Sequence, residues 1–562
     1  MNWWGSLEVK DDVGGKTMDT DENSKEVVKE KPQIYFKNIR FNDDTELILE
    51  KNSIVVFTGA NNSGKSQVLK DIEVCVDDSN YTQTIVVKES ERSYCGAIDE
   101  KIFLEEHFTI NKQGMYQSLA SGAFFETGTL KNLWTNHTLY NSLHKLFVNR
   151  LNTEMRLTSS NALDRTSQPE KHPIYKLSKS ERLAQKISDY FRQAFDVDLV
   201  VNRNEMMTIP LHVGKAPDKT AFTMDRQDDY YHLVAELPKL QEQGDGMRSF
   251  ASILLNTFTS DYSITLIDEP EAFLHPPQAR VLGKMLAKNN PNNRQLFIST
   301  HSEDFLQGLL DADNENVTVI RINREDSINK MSILQNDKIK ELWGNPLLRY
   351  SNILSGLFHG KVVVCESDYD CLFYQAVINA VHEMKNEIAP DLLFTHCGGK
   401  SRVKDVVNAL KAVNVPVVAI TDFDLLNSSQ NFKPLANAFG MNWETELLPN
   451  MKVVYDIMNA KNSNGNDSWA QIKKIGKVGL LGDGPEAYDK VEKLCKSKGL
   501  FVVPVGEMEC FDKTVNKEKK DWVYHVLENY DLANEPKLEA ARKFVQLICD
   551  FKIEKNNAEM VE

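Results

Sequence analysis

At 562 residues the chain is too long for one hydrophobic core and reads as roughly two to four domains, and its 41% hydrophobic and 26% charged residues are ordinary for a soluble globular protein. A net charge of −15 excludes a basic nucleic-acid sleeve, so any DNA contact is local or bridged by metal ions. No run of about 18 apolar residues reads as a membrane span, Met1-Asn2-Trp3-Trp4-Gly5 does not open as a signal peptide, and eight cysteines without a CxxC pair give neither a zinc site nor a disulfide framework, so a reducing cytoplasm is expected.

Residues 1–32 are polar and acidic and read as a mobile tail. From Gln33 the pattern turns to strand: Ile34-Tyr35-Phe36, then Ile39 and Phe41, Leu47-Ile48-Leu49, and the uniformly apolar Ile54-Val55-Val56-Phe57 of a buried central strand. That strand runs into Gly59-Ala60-Asn61-Asn62-Ser63-Gly64-Lys65-Ser66, the phosphate-binding string GxxxxGK[ST]. Gly59, Asn61, Asn62, Ser63 and Gly64 supply backbone N–H groups that curl around phosphates, Lys65 reaches the β and γ phosphates, and the Ser66 hydroxyl binds Mg²⁺. A helix begins there, so its N-terminal dipole also faces the anion. ATP is the expected ligand.

Between about residues 69 and 240 the signals weaken. Residues 157–172 form a polar, loop-like insert, Leu183, Ala184, Ile187, Phe191, Ala194 and Phe195 follow helical spacing, and Leu199-Val200-Val201 and Ile209-Pro210-Leu211 resemble strands. This stretch reads as the rest of one nucleotide-binding lobe with a helical insertion around 100–195.

From Ser249 to Asn323 helix and strand alternate as in an α/β fold. Ile264-Thr265-Leu266-Ile267 ends in Asp268 and Glu269: Asp268 would hold Mg²⁺, and Glu269 would orient or deprotonate the attacking water. A second apolar strand ends in Ser299-Thr300-His301, placing His301 to sense the γ phosphate, and Val317 to Ile320 forms a third strand.

After a short helical stretch at 347–360, a second α/β unit begins at Lys361. Its strands end in acids: Glu366, Asp368 and Asp370 after Val362-Val363-Val364, Asp422 and Asp424 after Val417 to Ile420, and Glu507 and Glu509 after Phe501 to Val505. In an extended segment Asp422 and Asp424 share a face. Adjacent parallel strands would gather the acids at their C-terminal ends, and such a cluster repels itself unless cations bind. Carboxylates without His or Cys suit Mg²⁺ or Mn²⁺. A polar loop at 462–466 interrupts this unit, and a charged helical tail follows Lys513.

The order GANNSGKS, IDEPEAFLHP, STHS resembles the ABC-type ATPase heads of the SMC, RecF and OLD (overcoming lysogenisation defect) families. The resemblance implies paired heads, each ATP site completed by a partner's signature loop. Gly244-Asp245-Gly246-Met247-Arg248 is the candidate, with Gly246 at the nucleotide and Gly244 where the families usually carry Ser. Glu366 with Asp422 and Asp424 resembles the Glu and DxD of a Toprim domain, although Ser367 replaces the usual Gly. Asp370, Glu507 and Glu509 match further acids of OLD-type Toprims, Gly398-Gly399-Lys400 resembles their Gly-rich turn, and their late lysine has candidates in Lys513, Lys517, Lys519 and Lys520.

An ABC-type head followed by a Toprim domain resembles the OLD-family architecture: an ATPase domain at 33–345, a Rossmann-like Toprim nuclease domain at 355–515 and a C-terminal helical segment at 516–562. It implies an ATP-gated DNA endonuclease in which Glu366, Asp422 and Asp424 hold two metal ions. It also implies a cytoplasmic homodimer or higher oligomer. The setting it implies is anti-phage defence, as for Gabija nucleases or retron-attached OLD-like effectors, with a helicase, or a reverse transcriptase and non-coding RNA, as partner. The alternatives are an ATP-driven sensor or scaffold that does not cut, and a RecF- or SMC-like repair ATPase. The repair class lacks the second acidic cluster, and its SMC members carry heptad arms that have no counterpart in this sequence.

Overall fold

The computed structural model describes residues 30–165, 172–221, 227–334, 354–462 and 468–552. The expected tail up to residue 29, most of the 462–466 loop, the end of the 157–172 insert, the first half of the 347–360 stretch and the last ten residues lie outside the described residues.

Strand β1 (Gln33–Phe41) pairs antiparallel with β2 (Glu46–Ile48). The all-buried β3 (Ile54–Thr58) then leads through the phosphate loop into α1 (Lys65–Val74), and β4 (Val87–Cys95) returns along the other edge of β1. Ile34, Phe36, Ile39 and Phe41 are all buried, although the spacing breaks strict alternation between Phe36 and Ile39. A bulge at Lys37, where the register against β4 slips by one residue, returns the later residues to the inward face.

The span read as a helical insertion is mixed. Within it, Phe108–Ile110, Tyr116–Ser118 and Phe124–Phe125 form a small antiparallel sheet. β5 (Val148–Leu151) is a strand of the central sheet itself. Four residues, with Asn149 and Arg150 in the middle, show neither alternation nor a continuous apolar run, so periodicity could not reveal this strand. The short α2 (Thr153–Thr158) follows, and α3 (Glu181–Phe195) takes the expected helical place, capped by the Ser180 hydroxyl and stopped by Asp196 at φ 58°.

Next come α4 (Asp245–Thr259), β6 (Ile264–Asp268), β7 (Gln295–Ser299), α5 (Glu303–Leu310), β8 (Val317–Glu325) and β9 (Ile328–Leu334). The sheet order is β9-β8-β3-β7-β6-β5, parallel except for the β8–β9 hairpin. Strands β3, β6 and β7 are apolar on both faces because helices and the β1 sheet cover both sides.

The second unit is a four-stranded parallel sheet of β10 (Lys361–Cys365), β11 (Leu392–His396), β12 (Val417–Thr421) and β13 (Leu500–Val502), ordered β11-β10-β12-β13. α6 (Asp368–Lys385) and α7 (Lys400–Ala412) cover opposite faces, and α8 (Ser468–Ile475) lies between β12 and β13 in sequence. The C-terminal helices α9 (Lys519–Asn529) and α10 (Glu539–Asp550) are integral to this unit rather than a separate segment. Trp522, Phe544 and Ile548 are buried, and Phe544 lies 5.8 Å from Tyr374 and 6.3 Å from Phe501 between ring centroids. Charge dominates the composition of this tail, but its apolar residues recur on one face and close the sheet.

The units meet at the start of β10. The Arg321 guanidinium of β8, buried and paired in register with Thr58, donates to the His359 carbonyl at 2.7 Å. The Ser355 hydroxyl donates to Glu303 of α5. Among the described residues no helix is long and apolar enough to cross a membrane.

Candidate functional site

The expected ATP residues converge at the C-terminal ends of β3, β6 and β7. Gly59 at φ 142° passes so close to β8 that a Cβ there would lie 2.2 Å from the Ile322 carbonyl oxygen. Gly64 (φ 106°) caps α1, and Asn329 from β9 donates to the Ser63 carbonyl at 2.6 Å, pinning the loop. Lys65 donates to the carbonyls of Gly59 (2.9 Å) and Ala60 (3.0 Å), so its ammonium sits inside the loop's curl; burial lowers its pKa. Asn61 and Asn62 lie on the exposed rim of this loop.

Ser66 donates to an Asp268 carboxylate oxygen at 2.9 Å, and the Ser299 hydroxyl donates to the same oxygen. Glu269 takes φ 48°, its N–H bonded to the Ser299 carbonyl at 3.0 Å. His301 Nδ1 stands 3.4 Å from Glu269 Oε1 and 3.4 Å from Glu271 Oε1. Glu271 is a participant the sequence reading passed over. It is buried, accepts from Thr300 (2.8 Å) and the His301 N–H (2.9 Å), and burial raises its pKa. Its signal was present as the second Glu of Asp268-Glu269-Pro270-Glu271. Arg156, also at this site, had no sequence signal.

The signature candidate opens α4 with Gly244 as its cap. A Cβ on Gly246 would lie 2.6 Å from the Phe273 carbonyl oxygen, and Arg248 bonds Asp245 (3.1 Å) and the Leu157 carbonyl (2.8 Å).

In the second unit, Glu366, Asp422 and Asp424 each offer an oxygen within 4.8 Å of the others. The two aspartates meet by a different route from the one expected. The chain is not extended past β12; Asp422 caps a 3₁₀ turn, Phe423–Asn427. Phe423 drives the turn by burying its ring 4.9 Å from that of Tyr488, while its N–H donates to the Gly506 carbonyl at 2.7 Å. The Asp422 N–H donates to Glu366 at 3.1 Å.

Burial and neighbouring carboxylates push Glu366 up to about 7 and Asp422 up to about 9. Asp424 Oδ2 pairs with Lys400 (3.0 Å) and Lys473 of α8 (3.6 Å), while its Oδ1 is buried with no hydrogen-bond partner among the described residues. Asp370, Glu507 and Glu509 line the same cavity of about 520 Å³ as Glu366 and Asp422. They stand apart from the three-acid cluster. Asp370 accepts from the Ser367 N–H (3.0 Å) and hydroxyl (2.9 Å) in a capping box, Glu507 lies 3.4 Å from Lys473, and Glu509 accepts from the Lys519 N–H at 2.6 Å. Of the four late lysines only Lys519 lines the cavity; Lys473, which also lines it, stands on the eight-residue α8 and had no motif to mark it in the sequence.

The donor set fits a hard divalent cation. It offers only carboxylate oxygens, one of them buried and without a partner, and two further carboxyls whose raised pKa marks charge in want of a counter-ion.

Residues 121–306 match the family described as "AAA domain, putative AbiEii toxin, Type IV TA system", and residues 357–424 match "Overcoming lysogenization defect protein-like, TOPRIM domain". The chain therefore carries an AAA-type ATPase domain and a Toprim domain, and it is an enzyme with ATPase and nuclease activities. That combination is consistent with an ATPase–Toprim fusion of the OLD family. No curated protein matches the chain. Among solved structures, an Smc head bound to the C-terminal winged-helix domain of ScpA aligns at TM-score 0.34 and 11% identity, over 55% of this chain and 99% of that one. An Smc head with an extended coiled coil, bound to a ScpA domain from Pyrococcus furiosus, aligns at 0.33 and 11%, over 56% and 99%. The SMC head domain from Thermotoga maritima aligns at 0.28 and 10%, over 54% and 97%.

Proposed function

We propose that this OLD-type ATPase and nuclease is a Mg²⁺-dependent DNA endonuclease whose cutting is set by the ATP state of paired heads, acting in anti-phage defence. The observation that carries the reading is the meeting of Glu366, Asp422 and Asp424 around a buried, partnerless Asp424 oxygen. These three would hold the inner cation, with Asp370, Glu507 and Glu509 facing the same cavity for a second. Mg²⁺ or Mn²⁺, when bound, supplies an activated water and stabilises the leaving oxygen of the phosphodiester. The chain's own part is to hold these carboxylates together against their repulsion. Lys400 and Lys473 offset one of them, and the 3₁₀ turn and the Asp422 N–H fix their directions.

At the head, Ser66 and Asp268 would hold the nucleotide's Mg²⁺, Lys65 and the loop its phosphates, Glu269 the attacking water, and His301 the γ phosphate. Gly246 would face the nucleotide of a second copy. The joint gives ATP a path to the nuclease centre: α5 starts two residues after His301 and holds Ser355, while Arg321 links the end of β3 to the base of β10. We place the domain division between β9 and β10, with α9 and α10 counted in the nuclease domain. Supercoiled plasmid incubated with the full chain and Mg²⁺ or Mn²⁺ tests the reading. Wild type should nick it; Asp424→Asn should not, while still binding ATP. Nicking by purified Asp424→Asn at the wild-type rate would overturn the assignment.

A further inference from the structure

Arg156 is a fully buried guanidinium to which none of the roles above assigns a task. It stands on α2, a single-turn helix capped by Asn152, whose side chain accepts the Met155 N–H at 2.8 Å. Its Nη1 donates to the main-chain carbonyl of Asp268 and its Nη2 to Thr153 Oγ1 at 3.3 Å, while Nε is buried without a partner among the described residues. A guanidinium taken out of water with one N–H unsatisfied is unfavourable unless negative charge surrounds it. Glu271, Asp268 and Glu269 provide that charge.

The bond falls on one particular peptide group. The Asp268–Glu269 peptide has its C=O held by Arg156 and its N–H held by the Ser299 carbonyl at 3.0 Å. Glu269, directly after it, sits at φ 48°, a left-handed conformation that a glutamate keeps only where its surroundings impose it. Turning this peptide would swing the Glu269 carboxylate away from His301, now 3.4 Å off. The seat of α2 is itself fixed. Arg248 donates to the Leu157 carbonyl at 2.8 Å and Asn256 to Ser159 Oγ at 3.3 Å, so α2 rides on the helix that the signature loop opens.

We propose that Arg156 is a positioning residue for ATP hydrolysis, clamping the Asp268–Glu269 peptide so that the Glu269 carboxylate stays aimed at the attacking water. The proposal rests on Glu269 being the group that activates that water. Full-length Arg156→Lys, Arg156→Met and Glu269→Gln are compared with wild type for affinity towards a fluorescent ATP analogue and for steady-state kcat and KM. Arg156→Met should lower kcat about a hundredfold, the effect of a misaligned catalytic group, with analogue affinity unchanged. Arg156→Lys, which keeps one donor for the Asp268 carbonyl, should fall between Met and wild type. Wild-type kcat in the Met variant beside an inactive Glu269→Gln overturns the clamp. If the Met variant loses nucleotide binding, the Lys variant decides: unchanged kcat there overturns the proposal, and reduced kcat with intact affinity supports it. Wild-type turnover by Glu269→Gln instead removes the reading on which the clamp rests.

Discussion

Asp424 gives one carboxylate oxygen to two ammonium groups and keeps the other buried and unpaired, while Glu366 and Asp422 are held with their protons too tightly bound. The consequence for stability has a definite sign. Folding raises both pKa values, from 4.5 to about 7 and from 3.8 to about 9, so their stabilising contribution is complete below the unfolded values and is lost as pH climbs through the folded ones. Metal-free protein should therefore show a Tm that falls between about pH 4 and about pH 9, in addition to any general charge effect. Mg²⁺ should restore more of it at pH 8 than at pH 6, because the cation binds the ionised form. Scanning fluorimetry in chelator and in Mg²⁺, with Asp422→Asn flattening the difference, checks this; a metal-independent Tm at both pH values would contradict it. At this scale the sequence was readable wherever a side chain ends a buried strand. Asp268, Glu269, His301, Glu366 and Asp422 all lie there, because an apolar run stopping at an acid or a histidine is visible in one dimension. Arg156 and Lys473 were not readable. Each arrives from an element of eight residues or fewer with no motif to mark it, and only the fold brings it to its site.

Among the elements, those with a long apolar pattern were legible and those whose length is set by their neighbours were not. β3, β6 and β10 announce themselves by short apolar runs of Ile, Val, Leu and Phe, broken only by Thr265 in β6. β5 does not, because an edge strand of four residues needs only β6 to define it. The turn after β12 was mistaken for extended chain because Asp-x-Asp spacing serves both conformations, and the decision belongs to the burial of Phe423. α10 carries a prediction of its own. Phe544 fills the space between Tyr374 and Phe501 at 3% exposure. Phe544→Ala should destabilise the nuclease domain by about 3–5 kcal/mol, as large-to-small changes of a buried ring do. Urea denaturation followed by tryptophan emission measures this, and a loss within about 0.5 kcal/mol, the range of surface substitutions, would show that α10 is no part of the core.

For the whole molecule, the two sites lie at the C-terminal ends of two sheets linked by the part-buried hydrogen bonds from Arg321 to the His359 carbonyl and from Ser355 to Glu303. Paired heads would bring the α4 loop of one copy to the nucleotide of another. With ATP, Glu269→Gln should accumulate as a dimer or larger oligomer in sedimentation velocity, and the same variant with Gly246→Trp should not. ATP-independent mass in both would contradict head pairing. The ATPase reading and the nuclease reading come together in one measurement: the Mg²⁺-dependent nicking rate of supercoiled plasmid, with and without ATP, for wild type, Lys65→Ala and Asp424→Asn. The account predicts a wild-type rate that changes with ATP, a Lys65→Ala rate that ignores it, and no nicking by Asp424→Asn. Nicking that survives in Asp424→Asn, or a wild-type rate indifferent to ATP, would contradict it.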